Sequence, residues 1–336
     1  MTGVAFARGR ASARAAVAGN PSDLDAGAVT AVPVRAFGAV VEVRRAERVS
    51  VDDPVGSWPA TPVGLLDHVR RHGPMGARPL LLAALAVFVE RLAPDFDEPV
   101  RLRWTTDIPR SVGLAGSSAL VIAALRALCD LAGVEAAPGP LAAAALAAER
   151  DLVGIPAGPQ DRVVQAHDAA VLMEFADPGP DGVGTARRLS HTGDGDLVVA
   201  WQPGAARPSG RVHREPALSR DPGLIDALAA TARAAAACLE SGDGPGLSAA
   251  MGESFALRRR LVHVDAGTVE LVERAATLGL GANSAGSGGS ILVWCPPERR
   301  AGLEEAIAAV GGRCRGVGER GGPGESMGDE PARLAP

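Results

Sequence analysis

Hydrophobic positions recur along the chain with two periods, one close to two and one between three and four, and these divide it into strands and helices. From about Ala13 to Val43 the pattern reads strand, turn, strand. The turn is Gly19–Gly27, where Asn20-Pro21 and Ser22-Asp23 are turn formers. Val100, Leu102 and Trp104 alternate with arginines and predict a strand that Pro109 stops. Val171–Phe175, Leu197–Trp201, Ile291–Cys295 and Arg313–Val317 read as further strands. Leu82, Leu85, Val89 and Leu92 predict a strongly amphipathic helix that ends at Pro94. Helical spacing recurs at Leu65–Arg71, at Val121, Leu125 and Leu128, and at Leu141, Ala145, Ala148 and Leu152. It recurs again at Ile225, Leu228, Ala232, Ala235 and Leu239, at Leu247, Met251 and Phe255, at Val269 and Val272, and at Leu303, Ile307 and Val310.

Between these elements the chain is irregular. Val49–Gly76, apart from its short helix, is rich in proline, glycine and charge. A turn-rich gap from Asp177 to Gly184 places a soft domain boundary between Phe175 and Leu197. Residues 1–11 are expected to be a flexible N-terminus, without the apolar core of a signal peptide. Residues 318–336 are expected to be a disordered tail, because glycine, proline and charge there leave no periodicity. The intervening domains are placed at 12–190 and 191–317.

The stretch Asp107–Leu120 is the chemically informative one. Pro109 ends a strand, Gly113 and Gly116 permit tight turning with uncovered backbone N–H groups, and Ser117 or Ser118 opens a buried helix. A glycine-serine loop feeding a helix N-terminus suits a phosphate. A serine-capped helix after a tight turn accounts for the same residues. The loop is not a Walker A sequence, it lacks Gly-x-Gly-x-x-Gly spacing, and Leu120 excludes a Gly-x-Ser-x-Gly nucleophile elbow.

Composition narrows the classes. All 34 basic residues are arginine, so Schiff-base chemistry through lysine is excluded, and with no tyrosine there is no tyrosine base. The net charge of −5 leaves no electrostatic footprint for nucleic acid, and no apolar run reaches membrane-spanning length. Cys129, Cys238, Cys295 and Cys314 are scattered, with Cys129 and Cys238 on apolar helical stretches. Free thiols in a cytoplasmic protein are expected. His68 and His72, at i and i+4, face one way as a metal pair does. With no third ligand nearby, a solvated helix face accounts for them.

Pro109-Arg-Ser-Val-Gly-Leu-Ala-Gly-Ser-Ser-Ala119 resembles the second conserved segment of the GHMP kinases (galactokinase, homoserine kinase, mevalonate kinase, phosphomevalonate kinase), and within them the glucuronokinases. Arg14-Ala-Ala-Val-Ala-Gly-Asn-Pro-Ser-Asp23 is similar to the first segment, and Ala285-Gly-Ser-Gly-Gly289 to the third. Gly154-Ile-Pro-Ala-Gly-Pro-Gln-Asp-Arg162 resembles the glucuronokinase turn that carries an acidic residue, with Glu149 placed before it. Ser209–His213 also resembles a glucuronokinase segment. An exposed loop accounts for His213 equally.

The resemblance, which spans roughly 13–317, implies an α+β, two-domain GHMP kinase fold with its active site in the interdomain cleft. It implies ATP and Mg²⁺ as cofactors. Pro109, Gly113, Leu114, Ala115, Gly116, Ser117 and Ser118 would hold the nucleotide, and Ser118 and Glu149 the metal. Asp161 would position or deprotonate the acceptor hydroxyl, and Arg14 would stabilise the transferring group. Asn20, Asp23, Gln160, Asn283 and Ser287 would meet the substrate. The implied reaction is phosphorylation of the anomeric hydroxyl of D-glucuronate. Another sugar, sugar acid or small alcohol is the alternative acceptor, and a non-catalytic ligand sensor is a second alternative. The expected partners are a small-molecule sugar or sugar acid, with neither nucleic acid nor membrane, and a homodimer is admitted. A sugar acid needs a cation, and Asp25–Ala28 holds none. Arg258–Arg260 supplies one, or else is a solvated helix end suited to the dipole.

Overall fold

The computed structural model describes residues 6–51, 58–72, 80–190, 197–203, 218–219 and 221–319. The expectations for Ser209–His213, for residues 1–5 and for the tail beyond Glu319 lie outside the described residues.

A long antiparallel ribbon organises the first region. β1 (Phe6–Ala18) pairs with β2 (Ala28–Arg45) from Phe6↔Arg44 to Ala18↔Thr30, with two irregularities on the way. This corrects the expectation of a flexible segment over residues 1–11, since Phe6–Ala11 is strand. Ala7, Gly9 and Ala11 point inward while Phe6, Arg8 and Arg10 are exposed. Such small inward residues carry little hydrophobic signal, but they let a helix come close. β4 (Val100–Thr106) pairs with the second half of β2 and β5 (Val171–Glu174) with the first. The short β3 (Ser50–Val51) runs parallel to β4, and β6 (Thr185–Arg188) closes the sheet beside β5.

The helices of this region are α1 (Pro62–His72), α2 (Leu80–Arg91), α3 (Gly116–Ala132), α4 (Pro138–Ala147) and α5 (Gln160–His167). α2 corrects a second expectation. It is not amphipathic, since every residue from Leu80 to Val89 is buried, and α1, α3 and α4 surround it. A helix enclosed on all sides has no polar face to display.

The second sheet has the order β10–β7–β9–β8, all antiparallel, with β7 Leu197–Trp201, β8 Ala282–Ser284, β9 Ser290–Trp294 and β10 Arg313–Gly316. α6 (Pro222–Ser241), α7 (Gly244–Leu261) and α8 (Ala266–Thr277) connect β7 to β8, and α9 (Arg300–Ala308) connects β9 to β10. Asp221, Asp243 and Asp265 cap α6, α7 and α8 by accepting backbone N–H groups of Gly223, Gly246 and Thr268. Among the described residues α6 is long and apolar enough to cross a membrane, an exception to the expectation from hydropathy. In the fold its apolar side lies on β2 and α7.

The chain is thus a mixed α+β protein with two sheet-and-helix regions, and β1 and β2 join them. Ala16 N–H donates to Ala285 O at 2.8 Å, Ala36 N–H donates to Val317 O at 3.2 Å, and Phe37 meets Trp201 edge-on at 5.3 Å. β1 and α3 also come into close contact. A Cβ added at Gly9 would stand 2.7 Å from the Ala127 nitrogen and closer still to the Ala123 oxygen. Neither backbone can retreat within a packed core, so Gly9→Ala is expected to cost roughly 1–3 kcal/mol. Urea unfolding measures this, and an unchanged midpoint would contradict the packing.

Candidate active site

The loop between β4 and α3 presents backbone donors. Ala115 is the N-cap of α3, with left-handed φ of +60° and no side-chain cap. The serines therefore lie inside the first turn rather than at the cap. Ser118 is fully buried and donates to Ala115 O at 3.2 Å. Among the described residues the N–H groups of Gly116, Ser117 and Ser118 have no acceptor, so the helix end is uncapped toward its loop.

The second glycine loop closes over the first. Gly113 has φ of +79°, and a Cβ there would lie 2.8 Å from Gly288 O and 3.0 Å from Ser287 N. Leu114 O accepts the Arg14 N–H at 3.3 Å, and Ser290 Oγ donates to Val112 O at 2.6 Å. Ser287 thus reaches the loop through its backbone. Asp265 and Thr268 brace the far side, where Thr268 Oγ donates to Asp265 at 2.7 Å and accepts Gly289 N–H at 2.8 Å.

Arg14 lies in the middle of this closure. Its guanidinium binds Asp161 Oδ1 through Nε at 2.6 Å and Nη2 at 2.5 Å, and donates to Ala285 O and, at 3.5 Å, to Gly113 O. Asp161 stands in the first turn of α5, and its Oδ2 lies 3.4 Å from Arg162 Nη1. Arg162 in turn holds Glu149 Oε2 through Nε at 2.7 Å and through Nη2, and donates to Gly158 O at 2.8 Å. Burial disfavours the Arg162 charge, but Glu149 and Asp161 outweigh it and push its pKa up. Asp161, 17% exposed, is the more accessible of the two acids in this ion-pair network. The Arg14, Arg162 and Glu149 side chains are 5%, 4% and 0% exposed.

Glu149 lies in a π-helical turn, Ala148–Val153, that continues α4. Its buried charge is met by Arg162, a partner that no local pattern in the sequence reveals. Glu149 Oε1 is buried and has no partner. An orphaned carboxylate oxygen and the buried Ser118 hydroxyl fit a Mg²⁺ that takes its other ligands from phosphates and water. Among the described residues no group of three His, Cys, Asp or Glu forms a self-sufficient metal cage. His68 and His72, with ring centroids 4.5 Å apart, lack a third ligand there.

The remaining expected substrate residues gather beside Arg14. Gln160 Nε2 donates to Asp23 Oδ1 at 2.8 Å, and Asn283 Nδ2 donates to Asn20 Oδ1 at 2.8 Å and Val17 O at 3.1 Å. Gln160 Oε1, Asn283 Oδ1 and Ser284 Oγ are buried and unpartnered. Pro109 opens the phosphate loop but makes none of these contacts. One further residue carries no signal in the sequence. Gln165, one turn beyond Asp161 on α5, props the loop by donating to Ala115 O at 3.0 Å. Arg258 is buried at 4% exposure rather than solvated. Its signal was its spacing, since it continues the buried stripe of Leu247, Met251 and Phe255.

A model of the GHMP kinases N terminal domain matches residues 79–168. Glucuronokinase 1 of Arabidopsis thaliana is 31% identical over 332 residues, covering 90% of this chain and 89% of that protein. The chain belongs to the GHMP kinase family. The fold is shared with Streptococcus pneumoniae phosphomevalonate kinase in complex with phosphomevalonate and AMPPNP, at TM-score 0.73 and 16% identity over 92% of this chain and 99% of that one. It is shared also with Lactococcus lactis galactokinase complexed with galactose, at TM-score 0.72 and 14% identity over 92% of each chain. At those identities the likeness is one of fold. As a GHMP kinase the protein is a small-molecule kinase, in a family that generally uses ATP and Mg²⁺.

Asp23 gives this site a pH signature. Burial, and then the nearby Asp161, raise its pKa from the ordinary 3.8 to about 7, against the lowering effects of Gln160 and Arg14. The folded state therefore keeps the proton longer than the unfolded state, so the contribution of Asp23 to stability falls between about pH 4 and 7 and levels off above. Asp23→Asn removes that penalty. Its melting temperature relative to the parent protein is expected to rise across this window, by the equivalent of a few kcal/mol at most. A difference independent of pH would contradict the assignment.

Proposed function

We propose that the protein transfers the γ-phosphoryl group of ATP to the anomeric hydroxyl of D-glucuronate, giving glucuronate 1-phosphate. The observation that carries the phosphotransferase reading is the meeting of Arg14 with Asp161 under two glycine loops, beside an uncapped helix end. The choice of a uronic acid is supported by the likeness to Arabidopsis thaliana proteins named glucuronokinase 1 and probable glucuronokinase 2.

In this reading the free N–H groups of Gly116, Ser117 and Ser118 bind the nucleotide phosphates. Gly113, Leu114 and Ala115 shape the loop around them, and Pro109 fixes its entrance. Glu149 and Ser118 would hold Mg²⁺, which would neutralise phosphate charge. Arg14 faces the transferring group and adds a fixed cation that needs no proton. Asp161 accepts the hydrogen bond of the acceptor hydroxyl and aims its oxygen at the phosphorus. The guanidiniums of Arg14 and Arg162 hold the Asp161 carboxylate in place. A loose phosphoryl-transfer transition state asks chiefly for such positioning, because the hydroxyl proton leaves late. Asn20, Asp23, Gln160, Asn283 and Ser287 surround the sugar. The acceptor is a small molecule in solution, and the protein is cytoplasmic.

A panel assay tests this directly. Mg²⁺-dependent ADP release is measured with D-glucuronate, other uronic acids, neutral sugars and small alcohols. D-Glucuronate is expected to be turned over, and Asp161→Asn to lower kcat by roughly 10²–10⁴-fold. ATP binding without turnover of any acceptor would sink the kinase reading in favour of a sensor. Turnover of neutral acceptors alone would remove the uronic acid and keep the chemistry.

A further inference from the structure

Among the described residues Arg258 is a buried cation with no ion-pair partner. It lies in the last turn of α7 at 4% exposure, yet its guanidinium turns inward. Nη1 donates to Asn20 O at 3.3 Å and Nη2 to Gly286 O at 3.0 Å, while Nε has no acceptor. Both acids within electrostatic reach are engaged elsewhere, Asp23 by Gln160 and Asp265 by Thr268. A guanidinium has five donor hydrogens, and buried charges are as a rule paired. Burial, and then Arg14, lower its pKa to about 10, which still leaves it charged at neutral pH.

The surroundings show what it waits for. Gly286, whose carbonyl Arg258 holds, is also pressed by Arg14, since a Cβ there would lie 2.9 Å from Arg14 Nη1. Arg258 therefore flanks the reacting centre. Asn20, whose carbonyl it also holds, leads through its side chain to Asn283. Among the described residues Asn283 Oδ1, Gln160 Oε1 and Ser284 Oγ are buried without partners, and each is an oxygen able to accept a hydrogen bond from a hydroxyl group. One cation among hydroxyl acceptors matches a molecule with several hydroxyls and a single negative charge.

We propose that Arg258 is the receptor for the carboxylate of the acceptor substrate and the residue that selects a uronic acid over the neutral sugar. This rests on the kinase reading above and deepens it. The turn at Asp25–Ala28 offers no cation, and Arg14 and Arg162 are committed to Asp161 and Glu149. Arg258 is left with its charge unanswered.

The test compares D-glucuronate with D-glucuronamide, which keeps the shape and loses the charge. The parent protein, Arg258→Gln and Arg258→Lys are assayed with both acceptors, and KM for MgATP is measured alongside. The parent is expected to prefer the acid. Arg258→Gln is expected to raise KM for the acid by roughly 100-fold, abolish the preference and leave KM for MgATP unchanged. Arg258→Lys, which keeps the charge without the planar fork, is expected to retain part of the preference. It also serves as the informative variant if Arg258→Gln does not fold. A preference for the acid that survives in both variants overturns the receptor while sparing the kinase reading. Turnover by the parent of neutral sugars or sugar phosphates, with no uronic acid accepted, overturns the receptor and the glucuronate reading together.

Discussion

The site depends on one buried ion pair. Arg14 is carried by β1 into the seam between the two sheets, where its side chain is buried. A guanidinium there must be met by an anion and by carbonyl oxygens, because desolvation otherwise costs several kcal/mol. Asp161 supplies the anion, and Ala285 and Gly113 supply the carbonyls. These residues come from four distant parts of the chain, so satisfying one charge brings β1, both glycine loops and the start of α5 to one place. The rigidity of β1, pressed onto α3 at Gly9, keeps the charge from retreating.

The same accounting extends to the other buried charges. Arg14 pairs with Asp161 and Arg162 with Glu149, while burial leaves Asp23 holding its proton up to about pH 7. Arg258 remains as an excess cation. In the proposed reading the acid of the acceptor would answer this charge, and the nucleotide phosphates would meet the bare N–H groups of Gly116, Ser117 and Ser118.

Much of this was legible in the sequence where local patterns carry the signal. The glycine-serine run at 113–118 announced a loop feeding a helix, and the structure differs only in placing the cap at Ala115. The strands at Val100–Thr106 and Leu197–Trp201 followed from alternation and from an apolar run. Phe6–Ala11 was missed because alanine and glycine on an inward face resemble a featureless tail. α2 was misread because a spacing of three and four also occurs inside a fully apolar helix. Pairings such as Arg162 with Glu149 join a turn to a helix end, and no local period encodes them. Arg258 lay between the two cases. Three successive arginines at a helix end look solvated, yet their first member continues the buried stripe of α7.

The most direct measurement of the central claim is a double-mutant cycle on the rate of ADP release. Arg14→Gln, Asp161→Asn and the double variant are compared under saturating MgATP with the accepted sugar. If the pair works as one unit, each single variant loses nearly as much as the double, and the coupling exceeds roughly 1 kcal/mol. Independent, additive losses would show that Arg14 and Asp161 act separately, and that the buried pair is architecture and not the centre of the chemistry.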